Sequence, residues 1–303
     1  MKYLVTGGAG FIGTNIVEAL LARGDSVRIL DDFSTGKRKR VSAIAELIEG
    51  TITDLETCRR ACEGVDGVFH TAALARMPRS IEDPIGTNDV NVNGTLNMLV
   101  AARDAGVKRF VFSGSSSVYG VQDTLPLTEN MKPHPGNPYA LQKLADEEYC
   151  RLFWELYQFP TVTLRYFNVY GGKYQTTDGA YALVFGIFIR QKRAGEPLTL
   201  CGDGEYRRDF TYVDDVVCAN ILAMDKETVG HGEIINIGAG DNHTVKELAA
   251  LVGGPTVFIA PRAGDARDSL ADRTRAKELL GWEPTVSLAD GVRTTLKLMG
   301  LDG

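Results

Sequence analysis

A tyrosine stands four positions before a lysine in "NPYALQK", residues 137–143, just behind an Asn-Pro pair. Asn137 suits a helix N-cap and Pro138 the first helical position, so a helix is predicted to start here. Tyr139 and Lys143 then lie one turn apart on one face. A free tyrosine, with a pKa of about 10, is a poor base at neutral pH. A neighbouring ammonium and a cationic cofactor ring both favour the phenolate and lower that value. Upstream, "FSGSSSVYG" (112–120) follows an apolar run and puts Ser115 at the carboxyl end of a predicted strand, where open α/β sheets bind ligands. A serine hydroxyl there can hydrogen-bond the oxygen whose proton the tyrosine takes. Together the three suit oxidation of an alcohol by hydride transfer. A lone Tyr-x-x-x-Lys is a common helix-surface pattern, so the reading needs a cofactor site beside it.

"TGGAGFIG" supplies one. Gly7, Gly10 and Gly13 fall between an apolar strand, "KYLVT", and the helical pattern "FIGTNIVEALLARG". Such glycines allow a tight turn and close approach of backbone to a pyrophosphate, whose charge suits the helix N-terminus. Asp31 ends the second strand, where a carboxylate can bind the ribose hydroxyls of a dinucleotide, and Asp32 follows it. The plainer reading of this pair is a turn cap. Basic residues at 37–40 raise NADP, but Asp31 repels a 2′-phosphate, so NAD is favoured. Asp54, in "TITDL", fits an adenine contact or a helix N-cap equally.

These groups need a scaffold that brings them together. Strand-like runs ("SVRILD", "DGVFHTAA", "KRFVFSGS", "TVTLRYFNVYG") alternate with helical patterns at about 88–105 and 138–157. Buried strands alternating with amphipathic helices imply right-handed βαβ units and a parallel sheet. After about residue 171 the texture changes. "GEPLTLCGDGEYRRDFTYVDD" is expected to form a hairpin around Asp203-Gly204. "EIINIGAG" reads as a strand, and "TVKELAALVG" and "RAKELLGW" as helices. The predicted fold is α/β: a doubly wound parallel sheet over residues 1–170 and a smaller α/β C-terminal domain over 171–303.

A net charge of −6 and a pI near 5.4 argue against general affinity for nucleic acid or an anionic membrane. The first strand is expected at residue 2, which leaves no room for a signal peptide, and no apolar run is long enough to span a bilayer. Five cysteines without a C-x-x-C pair and four scattered histidines give no metal-ligand spacing. The expectation is a reduced, cytoplasmic protein without a metal.

Over almost its whole length the chain resembles the extended short-chain dehydrogenase/reductase superfamily, and within it the nucleotide-sugar epimerases and dehydratases. The resemblance is carried by "TGGAGFIG", "DDFSTGKR", "HTAAL", "NVNGTLNML", "SGSSSVYG", "NPYALQK", "LRYFNVYG", "GDGEYRRDFTYVDD" and "RAGDARDSLAD". It implies a Rossmann-type NAD domain to which the chain returns at 209–237, and a homodimer packed through helices at about 94–105 and 138–157. It also implies cofactor contacts from Phe11, Ile12, Leu55, Ala72, Ala73, Asn91, Ser113 and Tyr166, besides Tyr139 and Lys143.

By the same resemblance, dehydratases carry an Asp-Glu pair after the catalytic serine or threonine, and decarboxylases keep a Glu. Here stand Ser116 and Ser117, neither of them an acid or base for elimination. That leaves oxidation at C4 and return of the hydride to the other face, which is 4-epimerisation of a UDP-sugar. UDP-glucuronate epimerisation or decarboxylation and 4,6-dehydration are the alternatives. Substrate contacts are expected from Ser115, Ser116, Asn168, Arg208, Arg262, Asp265 and Ser269; the plainer reading of the two arginines is a surface salt bridge. Ser269 occupies the position that walls the sugar pocket, and a small residue there is associated with room for an N-acetyl group. Arg76 departs from the small or apolar residue usual beside the sugar and points toward a uronic acid. Gln142 is also unusual and is expected to face away from the chemistry.

Overall fold

Strand β1 (Lys2–Thr6) is buried from its second residue onward, as a strand covered on both faces must be. In the computed structural model, which describes residues 1–75, 77–177, 183–260 and 268–301, it leads into α1 (Phe11–Ala22) and β2 (Ser26–Asp31). The chain continues through β3 (Glu46–Glu49), α2 (Leu55–Cys62) and β4 (Gly67–His70). Two short helices, α3 (Met77–Glu82) and α4 (Pro84–Asn88), and a π-helical turn (Asp89–Asn93) precede α5 (Gly94–Asp104). Strand β5 (Arg109–Ser115), helix α6 (Pro138–Tyr157) and β6 (Thr161–Tyr166) complete the run. The predicted helix at 88–105 is thus broken by the π turn, whereas α6 spans the predicted 138–157.

Beyond it come α7 (Val184–Ala194), β7 (Leu198–Cys201), β8 (Arg207–Asp209), α8 (Val213–Asp225) and β9 (His231–Ile237). The last elements are β10 (Asn242–Thr244), α9 (Val245–Val252), β11 (Thr256–Ile259), α10 (Thr274–Leu280) and α11 (Leu288–Leu298). Seven parallel strands form one sheet in the order β3-β2-β1-β4-β5-β6-β9. The order reverses between β1 and β4, which opens a crevice at the carboxyl ends of the strands. The fold is a Rossmann-like mixed α/β structure.

One face of the sheet buries Ile16, Val17 and Leu20 of α1 together with Val213 and Val216 of α8. The other buries Cys58 and Cys62 of α2, Leu99 of α5 and Cys150 and Phe153 of α6. Burial pushes the Cys58 and Cys62 thiols up to about 12, so both act as small apolar side chains. Among the described residues no cluster of His, Cys, Asp or Glu converges on a metal position, and no helix is long and apolar enough to cross a membrane.

The expected hairpin does not form. Gly202 and Gly204 have positive φ and make a turn, but the flanking strands part. Strand β7 runs parallel to β11, and β8 pairs antiparallel with β10. Turn chemistry is local, whereas the partner of each strand is chosen by a separate core of Phe185, Phe188, Leu200, Phe210 and Leu248.

Helix α6 is anchored in the interior by charge. Arg165 of β6 donates from Nε to Glu147 Oε2 at 2.9 Å and from Nη2 to Oε1 at 2.5 Å, with both residues almost fully buried. Removing one partner strands the other charge in a low-dielectric interior. Glu147→Ala is expected to lower unfolding free energy by about 3–5 kcal/mol in urea melts. A loss below about 1 kcal/mol would mean that the pair does not anchor α6.

Candidate active site

At the carboxyl ends of β1 and β2 the chain is packed too tightly for side chains. Gly7 (φ +66°) approaches Ala72, where a Cβ would fall 2.9 Å from its Cα. A Cβ on Gly13 would lie 2.2 Å from the Gly7 carbonyl oxygen. Gly10 caps α1 through backbone alone, and this helix N-terminus opens on a cavity of about 870 Å³. Unsatisfied N–H groups and the helix dipole make such an end a site for pyrophosphate. Gly7, Gly10, Phe11, Ile12, Gly13, Ala72 and Ala73 all line the cavity.

Asp31 and Asp32 line it as well. Asp31 Oδ2 accepts from Ala9 N at 2.9 Å and Oδ1 from Phe33 N at 2.8 Å, so this carboxylate both braces the glycine turn and faces the cavity. Burial raises its pKa, against the pull of those two donors. Asp54 and Leu55 do not line the cavity. Asp54 instead caps α2, accepting from Glu56 N and Thr57 N, the helix-cap alternative of the sequence reading. Thr51 and Ile52, just upstream, line the cavity in their place.

Ser115 ends β5 and Tyr139 opens α6, and both line the same cavity. Asn137 accepts from Ala140 N at 3.0 Å, and Pro138 has no N–H to satisfy. The next orphan donor, Tyr139 N, goes to Ser80 Oγ at 3.1 Å. Ser115 Oγ lies 2.9 Å from Ser117 Oγ. Lys143 does not reach the cavity wall; it sits one turn deeper, with Nζ 4.5 Å from the Phe112 ring centroid. Tyr166 lines the cavity, its hydroxyl 3.1 Å from Ser113 Oγ and 2.9 Å from Asn220 Oδ1.

Two expected cofactor contacts point elsewhere. Ser113 is behind the wall, engaged by Tyr166. Asn91 is fully buried and holds the backbone of Leu74, accepting from its N at 2.7 Å and donating to its O at 3.3 Å. Strand and helix periodicity place a residue on a face, but not which neighbour covers that face.

At the far end of the cavity stand Ser116, Asn168, Arg208 and Ser269. Asn168 adopts φ +25° and donates to Asp209 O at 3.0 Å, and Ser269 Oγ accepts from Asp209 N at 3.3 Å. Asn168 and Arg208 also line an adjoining cavity of about 230 Å³ with Cys201, Tyr206 and Phe210. Arg262, Asp265 and Arg76 lie outside the described residues. Sequence reasoning missed Thr176 and Arg190, which line the main cavity without belonging to any recognisable motif, whereas Lys37 and Arg40, of the basic run weighed for NADP, line it with Asp31.

Residues 3–238 match the pattern of the NAD dependent epimerase/dehydratase family. The chain belongs to that family. It is an NAD-dependent epimerase-type enzyme, and the glycine turn and Asp31 fit the cofactor. A UDP-glucose 4-epimerase of Mycolicibacterium smegmatis is 38% identical over 98% of both chains. The structure of a UDP-glucose 4-epimerase from Thermotoga maritima with UDP-glucose superimposes with a TM-score of 0.94 at 40% identity, covering 99% of each chain. That of a UDP-N-acetylglucosamine 4-epimerase from Methanobrevibacter ruminantium, in complex with UDP-N-acetylmuramic acid, gives 0.92 at 33% identity, covering 98% of this chain and 97% of the other.

In this family member the charge behind Tyr139 is held without solvent. Burial pushes Lys143 down, and the Asp146 carboxylate, one turn along α6, pushes it back up. Asp146 is itself driven well above the usual carboxylate range by burial, opposed chiefly by the Lys143 charge. Beneath them His70, bonded to Thr6 and Thr95, is held neutral by burial and by Lys143, its pKa pulled down to about 3. Glu147 is engaged by Arg165, so Asp146 is the carboxylate that opposes the downward pull of burial on Lys143. Without it Lys143 deprotonates at lower pH. Asp146→Asn is expected to move the alkaline limb of the pH–rate profile to lower pH; an unmoved limb would show that Asp146 does not support the lysine charge.

Proposed function

We propose that this enzyme interconverts UDP-sugars at C4. UDP-N-acetylglucosamine and UDP-N-acetylgalactosamine are the principal pair, and UDP-glucose and UDP-galactose are also accepted. The observation that carries the reading is that Ser115 and Tyr139 line one cavity with the glycine turn. Tyr139 takes the proton of the 4-hydroxyl while Ser115 hydrogen-bonds the same oxygen. A bound nicotinamide supplies reversible acceptance of the C4 hydride. The 4-ketose turns over in its pocket, and Tyr139 returns the proton to the carbonyl oxygen as C4 is reduced on its other face. Nothing is gained or lost overall, so the product is an isomer.

Arg208 and Asn168, at the junction of the two cavities, are suited to hold the diphosphate, with the smaller cavity taking the base. Elimination or decarboxylation calls for an acid or base beside Ser115, and the neighbours there are Ser116 and Ser117. Among the described residues the carboxylates lining the cavity are Asp31 and Asp32 at the glycine-turn end and Asp268 beside Ser269. Ser269 leaves its part of the wall short, which supports an acetamido group. The names of the similar enzymes support both sugar pairs.

The test is incubation of the purified holoenzyme, without added NAD, with UDP-N-acetylglucosamine and separately with UDP-glucose. Chromatography and mass spectrometry should give products of unchanged mass. Tyr139→Phe should lower kcat by about 10²–10⁴-fold while bound NAD is kept. A product of lower mass would overturn epimerisation in favour of a lyase, and conversion of UDP-glucose alone would overturn the acetamido assignment.

We also propose that two copies pair through α5 and α6, since α6 leaves Leu141, Leu156 and Tyr157 exposed. Light scattering should then report twice the 32.9 kDa chain mass. A monomer mass at working concentration rules the pairing out.

A further inference from the structure

Gln142 immediately precedes Lys143 and is expected from the sequence to face away from the chemistry. It does not line the cavity, yet only 4% of it is exposed. Its Oε1 accepts from Asn91 Nδ2 at 2.8 Å, and its Nε2 donates to Thr87 Oγ1 at 3.1 Å. Thr87 in turn donates to Asp83 O at 2.8 Å, so neither end of the amide is idle. Asn91 lies in the π-helical turn and grips Leu74 at both its N–H and its carbonyl. Single π turns often mark functional sites, because the extra residue redirects a side chain. Here the redirected side chain is that of Asn91, which bonds Leu74 on one side and Gln142 on the other.

Leu74 forms one wall of the cavity with Thr71, Ala72, Ala73, Ala75, Met77 and Pro78. A second tie reaches the same wall from the same helix. Tyr139 N donates to Ser80 Oγ, and Ser80 Oγ donates to Met77 O at 2.8 Å. The wall is therefore fastened at Leu74 and at Met77 to the first two turns of α6. Ser80, Thr87 and Asn91 are fully buried, so these bonds are shielded from competition with water.

We infer that Gln142 is a positioning residue: through Asn91 it sets the distance between the Leu74 wall and the helix that carries Tyr139 and Lys143. The wall and Tyr139 close on the same cavity from two sides, and a cofactor seated between them is held by the register of the two. Thr71 ties the start of this wall to β1 by donating to Thr6 O at 2.7 Å, but Ala72, Ala73, Leu74 and Ala75 carry no polar side chain. Their backbone has to be held from behind, and Gln142 is the link that reaches it from α6 through a side chain. The inference rests on the reading of Tyr139 as the proton carrier.

Gln142→Met keeps volume and helix propensity and removes both hydrogen bonds. Gln142→Glu keeps the acceptor for Asn91 and, when protonated, also the donor to Thr87. Bound NAD is measured by absorbance after gel filtration of the holoenzyme, beside kcat and a thermal melt. Gln142→Met is expected to lose at least half its NAD under conditions where wild type keeps it, and to lower kcat about tenfold at temperatures well below its melt. Gln142→Glu should recover NAD retention as pH falls. Should Gln142→Met give no folded protein, Thr87→Val removes the outer bond alone and should show the same losses to a smaller degree. A lower melting temperature with NAD retention and kcat unchanged would overturn the inference. The NAD readout needs no sugar, so a wrong substrate assignment does not affect it.

Discussion

Helix α6, which carries Tyr139 and Lys143, is tied to the sheet by a charge pair buried beneath it. Arg165 is 1% exposed, gives two hydrogen bonds to Glu147 and stacks its guanidinium 4.6 Å from the Tyr119 ring centroid. Charges are costly to bury, and the cost is offset only when the geometry is met. A shift of α6 along β6 would break a bidentate contact in a medium that cannot replace it. Helix and strand are thus locked in register, and Tyr139, Gln142 and Lys143 inherit their positions from that lock.

The remaining polar groups of the helix extend the same constraint outward. Asn137 satisfies Ala140 N, Ser80 satisfies Tyr139 N, and Gln142 reaches Asn91. Each is a donor or acceptor that would be costly to leave buried and unmade. Satisfying them draws the alanine-rich wall, the π turn and the strand end at Ser115 around one cavity. The electrostatics follow from the dryness: burial pulls Lys143 down while Asp146 opposes it, and burial keeps His70 neutral.

The two ends of the cavity are built differently. At the cofactor end backbone meets backbone so closely that Gly13 admits no Cβ, and Asp31 is fixed by two N–H donors. At the other end Ser115, Ser116 and Ser269 set short hydroxyls into the wall, beside Asn168 and Arg208. A rigid seat for a cofactor that stays and a roomy one for a sugar that must turn over are consistent with the proposed reaction.

Much of this was legible in the residues alone. Glycine spacing, the aspartate ending the second strand, and the Ser, Tyr and Lys positions depend on local backbone geometry, which periodicity and capping rules read directly. So do the bounds of α6 and the parallel alternation. Pairings at long range were not legible. The expected hairpin failed because β7 and β8 each found a partner elsewhere, and Asn91 and Ser113 do not line the cavity because they are engaged by Leu74 and Tyr166. Gln142 has no signal in its own stretch, since its partners lie more than fifty positions away. The sequence by itself determined the family, the parallel α/β fold and the NAD cofactor, because those depend on residue type and local spacing. Only the tertiary structure decided which polar side chains face the cavity and which brace it from behind, because that choice belongs to whichever partner a buried group finds across the fold.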